Sequence, residues 1–119
     1  MSRSFVGFGF GPIQSGLFVY EAFRSGKFSR LVVAEVDERL IQSVRNSGGR
    51  YCVNIALEDR IEKAEVAGVE IYNPGVAEDR ARLVESIRDA DELATALPSV
   101  DFFTRGGLAS VVELLCAAL

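Results

Sequence analysis

Histidine is missing from this chain altogether. Its absence excludes every mechanism that needs an imidazole base, every Ser–His or Cys–His couple and every histidine-ligated metal. Cysteine is scarce. Cys52 and Cys116 lie far apart with no metal-ligand spacing, so a thiolate metal site is excluded, and both are expected as reduced core thiols of a cytoplasmic protein. No apolar run approaches the ~20 residues that span a bilayer, so no transmembrane helix and no membrane partner are expected. The opening Met1-Ser2-Arg3-Ser4 leads directly into patterned sequence, not into a signal peptide. Basic residues are outnumbered, 13 against 17 acidic, for a net charge of −4, so no basic surface is implied and nucleic acid is not an expected partner. What the chain does have is 119 residues of which 49% are hydrophobic. That excludes disorder and suffices for a single domain over residues 1–119 with one core.

Strand and helix periods alternate along the chain. Ser4 to Phe8 is a short apolar run ending in glycines, the pattern of a buried strand. Pro12 suits a first helical turn, and Ile13, Leu17, Tyr20 and Phe23 then recur at three- and four-residue steps, predicting the inward face of a helix that stops near Ser25-Gly26. Leu31-Val32-Val33-Ala34 reads as a parallel strand covered on both faces. Asp37 is placed to cap a second helix carrying Leu40, Ile41 and Val44 and ending at Asn46-Ser47-Gly48-Gly49. Tyr51 to Ala56 alternates as a strand. Leu57 to Lys63 reads as a charged connection, and Glu65 to Tyr72 as one or two strands with a break near Gly68. After a Pro74-Gly75 turn the helical period returns from Asp79, with Leu83, Val84 and Ile87 inward. Leu93 to Leu97 reads as a strand ending at Pro98-Ser99, and Leu108 to Leu119 as a last helix with Leu108, Val111, Val112 and Leu115 inward. The order predicts an α/β, Rossmann-like fold: a mostly parallel sheet, helices on both faces, and a possible antiparallel excursion in the middle.

The strongest chemical signal is Gly7-Phe8-Gly9-Phe10-Gly11-Pro12-Ile13-Gln14-Ser15-Gly16, which joins the first strand to the first helix. A tight strand-to-helix bend needs residues free of Cβ constraints, and the helix start then offers N–H groups and a positive dipole end to phosphates. Two registers fit the dinucleotide fingerprint. One starts at Gly9 and Gly11 and puts Gln14 where a third glycine belongs; the other starts at Gly7 and Gly9 and puts Pro12 there. The first is preferred because it begins the helix at Pro12 or Ile13, and it requires either a helix set further from the strand or an outward-pointing Gln14. Glu35 ends the second strand 26 positions beyond Gly9, near the spacing of about 20 residues at which an acidic side chain holds the adenosine ribose and repels a 2′-phosphate. NAD is thereby favoured over NADP. The same glycine run also resembles the first motif of S-adenosylmethionine-dependent methyltransferases, although Phe5-Val6 stand where those enzymes usually carry an acidic residue.

The stretches Phe10-Gly11-Pro12-Ile13-Gln14-Ser15-Gly16-Leu17, Leu31 to Asp37 and Ala94-Thr95-Ala96-Leu97-Pro98-Ser99-Val100 resemble the N-terminal domain of the mannitol dehydrogenase family, in particular its mannitol-1-phosphate 5-dehydrogenase branch. The resemblance extends over nearly the whole chain. It implies an NAD-binding domain of an oxidoreductase that oxidises a polyol or its phosphate to a ketose by hydride transfer. It implies that Gly9, Phe10, Gly11, Pro12, Ile13 and Gln14 line the pyrophosphate, that Glu35 holds the adenosine ribose, and that Thr95, Ala96 and Leu97 lie near the nicotinamide ribose. The family carries lysine, asparagine and histidine around the reacting carbon in a C-terminal helical domain. Here there is no histidine, the only lysines are Lys27 and Lys63, and no residue stands out to take the hydroxyl proton, so no catalytic residue is assigned. The chain is expected to be a cofactor domain whose catalytic half lies in a separate or missing helical domain. The alternative is a non-catalytic nucleotide-sensing or interaction module.

Other features favour plainer readings. Phe8 and Phe10 are expected to pack rather than stack on adenine, and Tyr20, Tyr51 and Tyr72 to sit at core edges rather than act as acids. Asp89, Asp91 and Glu92 read as a solvated helix end rather than a metal site. Arg105-Gly106-Gly107 fits an anion site or a flexible turn equally well. Leu93 to Leu97 is expected at a sheet edge, inviting self-association into a homo-oligomer.

Overall fold

The computed structural model describes residues 3–97 and 99–119. Four strands, β1 (Ser4–Phe8), β2 (Arg30–Ala34), β5 (Val69–Tyr72) and β6 (Glu92–Thr95), form an all-parallel sheet in the order β5-β2-β1-β6. A separate antiparallel ribbon joins β3 (Tyr51–Ala56) to β4 (Ile61–Val66), with Tyr51 opposite Val66. β1 is buried along its whole length, as expected of a central strand with no polar face. Side chains alternate across it. Phe5 joins Leu31, Val33 and Ile71 on one face, and there they meet α1 (Val19–Ser25) and α2 (Glu38–Asn46) through Val19, Ala22, Ile41 and Val44. Val6 and Phe8 join Val32 and Ala34 on the other face, against Leu83 and Ile87 of α3 (Ala77–Arg88) and Val111 and Leu114 of α4 (Val111–Ala118). The fold is thus α/β, with helices on both faces of a parallel sheet and a small antiparallel excursion, consistent with a Rossmann-like arrangement.

Several local expectations hold. Asp37 caps α2, its carboxylate accepting from the Arg39 and Leu40 N–H groups at 2.9 and 3.4 Å. Gly68, at φ 77°, breaks β4 from β5, because a left-handed residue cannot continue a strand. At the start of β1 the Ser4 N–H donates to the Asp91 carboxylate at 2.7 Å.

Others need correction. The first helix does not bury Ile13, Leu17 and Phe23: Ile13 is 61% and Leu17 51% exposed, while Gln14, Val19 and Ala22 face the core. The regular spacing is interrupted by a π-turn over Gln14–Phe18, in which the Val19 N–H donates to the Gln14 carbonyl five residues back. The inward stripe therefore steps five residues from Gln14 to Val19 before resuming at Ala22. In the last helix, α4 starts only after Ser110, whose hydroxyl accepts the Glu113 N–H at 3.2 Å. The inward set is therefore Val111, Leu114 and Ala118, with the expected Leu115 half-buried against the same cluster and Val112 outward; the expectations for Pro98 and for the Leu108 side chain lie outside the described residues. Ile61 to Lys63, expected as a connection, belong to β4. Both cysteines are exposed, not core thiols: Cys52 takes an outward position in the alternation of β3, and Cys116 lies on the outer side of α4.

Candidate functional site

The glycine bend leaves β1 at the point where the chain's parallel neighbours diverge, β2 on one side and β6 on the other. It is tied to both. The Gly9 N–H donates to the Ala34 carbonyl at 2.8 Å, extending the β2 side, and the Ala96 N–H donates to the Phe8 carbonyl at 3.0 Å, extending the β6 side. Gly9 requires its lack of a side chain twice over. Its φ is +83°, and a Cβ there would lie 2.6 Å from the Ala96 carbonyl oxygen. At Gly11 a Cβ would meet nothing within 4 Å, so the backbone here faces open space.

A cleft of about 290 Å³ opens beside this bend, at the carboxyl ends of β1, β2 and β6. Phe8, Gly9, Ala34, Glu35 and Val36 form one wall, and Pro74, Leu97, Phe102, Arg105, Ser110, Val111 and Leu114 help to close the rest. Open parallel sheets place ligands at this position, the crevice where strand order reverses. Pro74 is held at the rim by a well-bonded turn. Asn73 donates through Nδ2 to Glu38 at 2.6 Å and accepts the Gly75 N–H at 2.9 Å through Oδ1. Asp79 accepts both the Asn73 N–H at 3.0 Å and the Arg45 guanidinium at 2.8 Å. Burial works to raise the Asp79 carboxyl, but these donors outweigh it and hold it below the ordinary 3.8.

Glu35 points at the glycine bend. Its Oε1 accepts the Phe10 N–H at 2.8 Å, and its Oε2 accepts the N–H groups of Val36 at 2.7 Å and Asp37 at 3.0 Å. An ionised carboxylate offers about four acceptor sites, so three backbone bonds leave room for one further donor such as a sugar hydroxyl. The Phe10 amide is thereby committed to Glu35 rather than to a phosphate. The Phe10 ring is buried and meets Tyr51 edge-on at 5.1 Å, so its role is packing. Tyr51 in turn donates to the Ser15 carbonyl within the π-turn, and burial pushes its phenol above the ordinary value of 10.0.

Gln14 does not line the cleft, and its outward placement is corrected: its exposure is 0%. Nor is the helix held away from the sheet. Gly7 on the strand supplies the space that a glycine on the helix would otherwise supply. A Cβ at Gly7 would lie 2.7, 2.8 and 2.9 Å from Cδ, Oε1 and Nε2 of Gln14, so the carboxamide lies across the bare Cα. Its Nε2 donates to the Phe8 carbonyl at 3.2 Å and the Ala94 carbonyl at 3.0 Å, while the buried Oε1 has no partner among the described residues.

Of the expected site residues, the cleft gathers Gly9, Glu35 and Leu97. Gly11, Pro12 and Ile13 lie on the exposed side of the bend, and Thr95 pairs with Phe8 at the end of β6 and is exposed beside Ala96. Val36, Pro74, Phe102 and Ser110 also line the cleft but carry no motif; the sequence marked only Val36, after a strand, and Pro74, in a turn. Arg105 lies over the Phe102 ring, 4.3 Å from its centroid, which gives the Arg105-Gly106-Gly107 segment a packed cation at the cleft mouth. No protein-family model matches the chain, and no curated protein matches it.

Proposed function

We propose that this chain binds an adenine dinucleotide, NAD in preference to NADP, as the cofactor domain of a polyol or polyol-phosphate dehydrogenase of the mannitol dehydrogenase type. The observation that carries the reading is Glu35: its carboxylate bonds the crest of the glycine bend while bordering an apolar cleft at the strand ends. In this reading the adenosine occupies the cleft, between Val36 and Leu97, and a ribose hydroxyl donates to the remaining acceptor site of Glu35. Helical residues begin at Pro12, so the Ile13 N–H belongs to the first turn, whose amides have no intrahelical acceptor, and it is offered with Gly11 to the pyrophosphate. The cleft volume falls near the lower end of the ~300–1,000 Å³ usual for ligand pockets, which suits the adenosine half better than the entire dinucleotide.

NAD, when bound, supplies the hydride acceptor; this chain's residues bind and orient it. Lys27 and Lys63 are exposed, neither lines the cleft, and the sequence contains no histidine. Removal of the substrate's hydroxyl proton is therefore assigned to a separate C-terminal helical domain of the kind the family carries.

Calorimetric titration of the 119-residue chain with NAD, NADP and S-adenosylmethionine tests the reading. NAD is expected to bind most tightly. Preferential binding of S-adenosylmethionine moves the site to the methyltransferase class, and no binding of any of the three removes the nucleotide site and leaves an interaction module. Binding of NAD without any gain of polyol oxidation when the helical domain of a family member is supplied favours a nucleotide sensor.

A further inference from the structure

We infer that Gln14 is a positioning residue of this site: its carboxamide clamps the ends of β1 and β6 and so sets the spacing between the glycine bend and the Thr95–Leu97 segment. The inference rests on the proposed dinucleotide site and adds a residue that never touches the ligand. Four observations converge on it. First, Nε2 bonds two main-chain carbonyls on different strands, Phe8 on β1 and Ala94 on β6, at 3.2 and 3.0 Å. These two acceptors also settle which end of the amide faces them, since only the NH₂ can donate. Second, the Phe8 carbonyl is shared: it also accepts the Ala96 N–H at 3.0 Å, so the same oxygen links the helix, the bend and the segment after β6. Third, Gly9 touches that segment directly, with no space for a Cβ against the Ala96 carbonyl. A small displacement of β6 at Ala94 therefore moves one wall of the crevice relative to the other. Fourth, Gly7 is matched to the clamp, its missing Cβ leaving the space that the carboxamide occupies.

In the usual fingerprint the third glycine permits close helix-to-strand packing and bonds nothing. Here the approach is made by a glycine on the strand, and the helix contributes a side chain that holds both strands. The expected consequence is selective. The adenosine half of a ligand is held by Glu35 and the β2 side of the cleft, which Gln14 does not touch, whereas a complete dinucleotide must cross from the bend to the Thr95–Leu97 segment.

The test compares NAD with AMP on the full chain. Gln14→Met keeps length and apolar volume and removes both donated hydrogen bonds. It is expected to weaken NAD roughly tenfold, about the effect of one buried hydrogen bond, and to change AMP by less than about twofold. Gly7→Ala, which displaces the carboxamide without removing it, is expected to give the same pattern. Equal losses for NAD and AMP, or no loss for either, overturn the inference. A readout without ligand keeps it separate from the binding proposal. In Gln14→Met the Ala96 amide, bonded to the Phe8 carbonyl, is expected to exchange with solvent deuterium about tenfold faster, while the Gly9 amide, bonded to the Ala34 carbonyl, is not. If both amides keep their wild-type rates, Gln14 is no clamp, whether or not NAD binds. If the unmodified chain binds no NAD but the Ala96 amide still loosens, the clamp stands and the dinucleotide reading fails.

Discussion

Replacing Glu35 by alanine removes three acceptor contacts at once, to Phe10, Val36 and Asp37. The Val36 and Asp37 contacts are exposed, so water takes over their bonding, while the Phe10 contact is part-buried, and the expected loss of stability is about 1–2 kcal/mol, read from urea unfolding. The effect on ligand is expected to be larger and asymmetric. NAD weakens about tenfold or more, while NADP, relieved of a carboxylate facing its 2′-phosphate, weakens less. Unchanged affinity for both removes Glu35 from the ribose. Glu35 was legible because it ends an apolar strand at a fingerprint spacing. Gln14 was misread for an equally definite reason: a polar residue at the third glycine position looks like a surface residue until Gly7 is seen beneath it. Phe102 and Ser110 were not legible as cleft residues. Each comes from a short turn whose position depends on how α4 packs against α3, and nothing local encodes that.

At the level of elements, the signals that succeeded were those whose chemistry is local. The Asp37 cap is one, and Asp37→Ala is expected to destabilise the chain by about 1 kcal/mol with an unchanged dependence on urea, since the lost bonds expose little new surface. A destabilisation below a few tenths of a kcal/mol would mean that packing of Ile41 and Val44 alone holds α2. The strands β1 and β2 were legible from unbroken apolar runs, which a strand buried on both faces must have. The first helix was located correctly but rotated, because a five-residue turn leaves no mark in a pattern read at 3.6 residues. The beginning of β4 was missed because Ile61, Glu62 and Lys63 are all exposed; a two-stranded ribbon at its free end has no dry side to impose alternation.

Across the whole molecule, the radius of gyration is 14.2 Å, against about 13.5 Å for a compact chain of this length, and the longest dimension is 46 Å. Among the described residues the parallel sheet ends at β6, which pairs with β1 alone, and Leu93 on it is exposed. An open edge of this kind is a pairing surface. We therefore expect light scattering after size exclusion to give a mass above the 12.9 kDa monomer that rises with loading concentration; a constant monomer mass counts against self-association. Acid stability follows from the opposite side of the sheet. Arg30 grips Glu70 with two bonds of 3.0 Å, and Tyr72 adds a third donor at 2.9 Å. The Arg30 hydrogen bond, opposed by burial and aided by Tyr72, holds the Glu70 carboxyl below the ordinary 4.5. A group lowered on folding binds more protons when unfolded, so its contribution is complete above pH 4.5 and is lost as pH falls through the lower folded value. Glu70→Gln is expected to be less stable at neutral pH and to show a shallower decline below pH 4.5 in acid titrations followed by circular dichroism; parallel declines in both proteins would show that the pair contributes nothing.

The outward cysteines bear on how such measurements are made. With one sulfhydryl on the β3–β4 ribbon and another on the last helix, a preparation kept in air is open to covalent linkage between molecules, so sizing runs require a reductant if their masses are to report non-covalent association. The same placement provides two maleimide attachment points without altering the sequence, and a dye pair there would report the ribbon's position relative to the last helix before and after nucleotide is added.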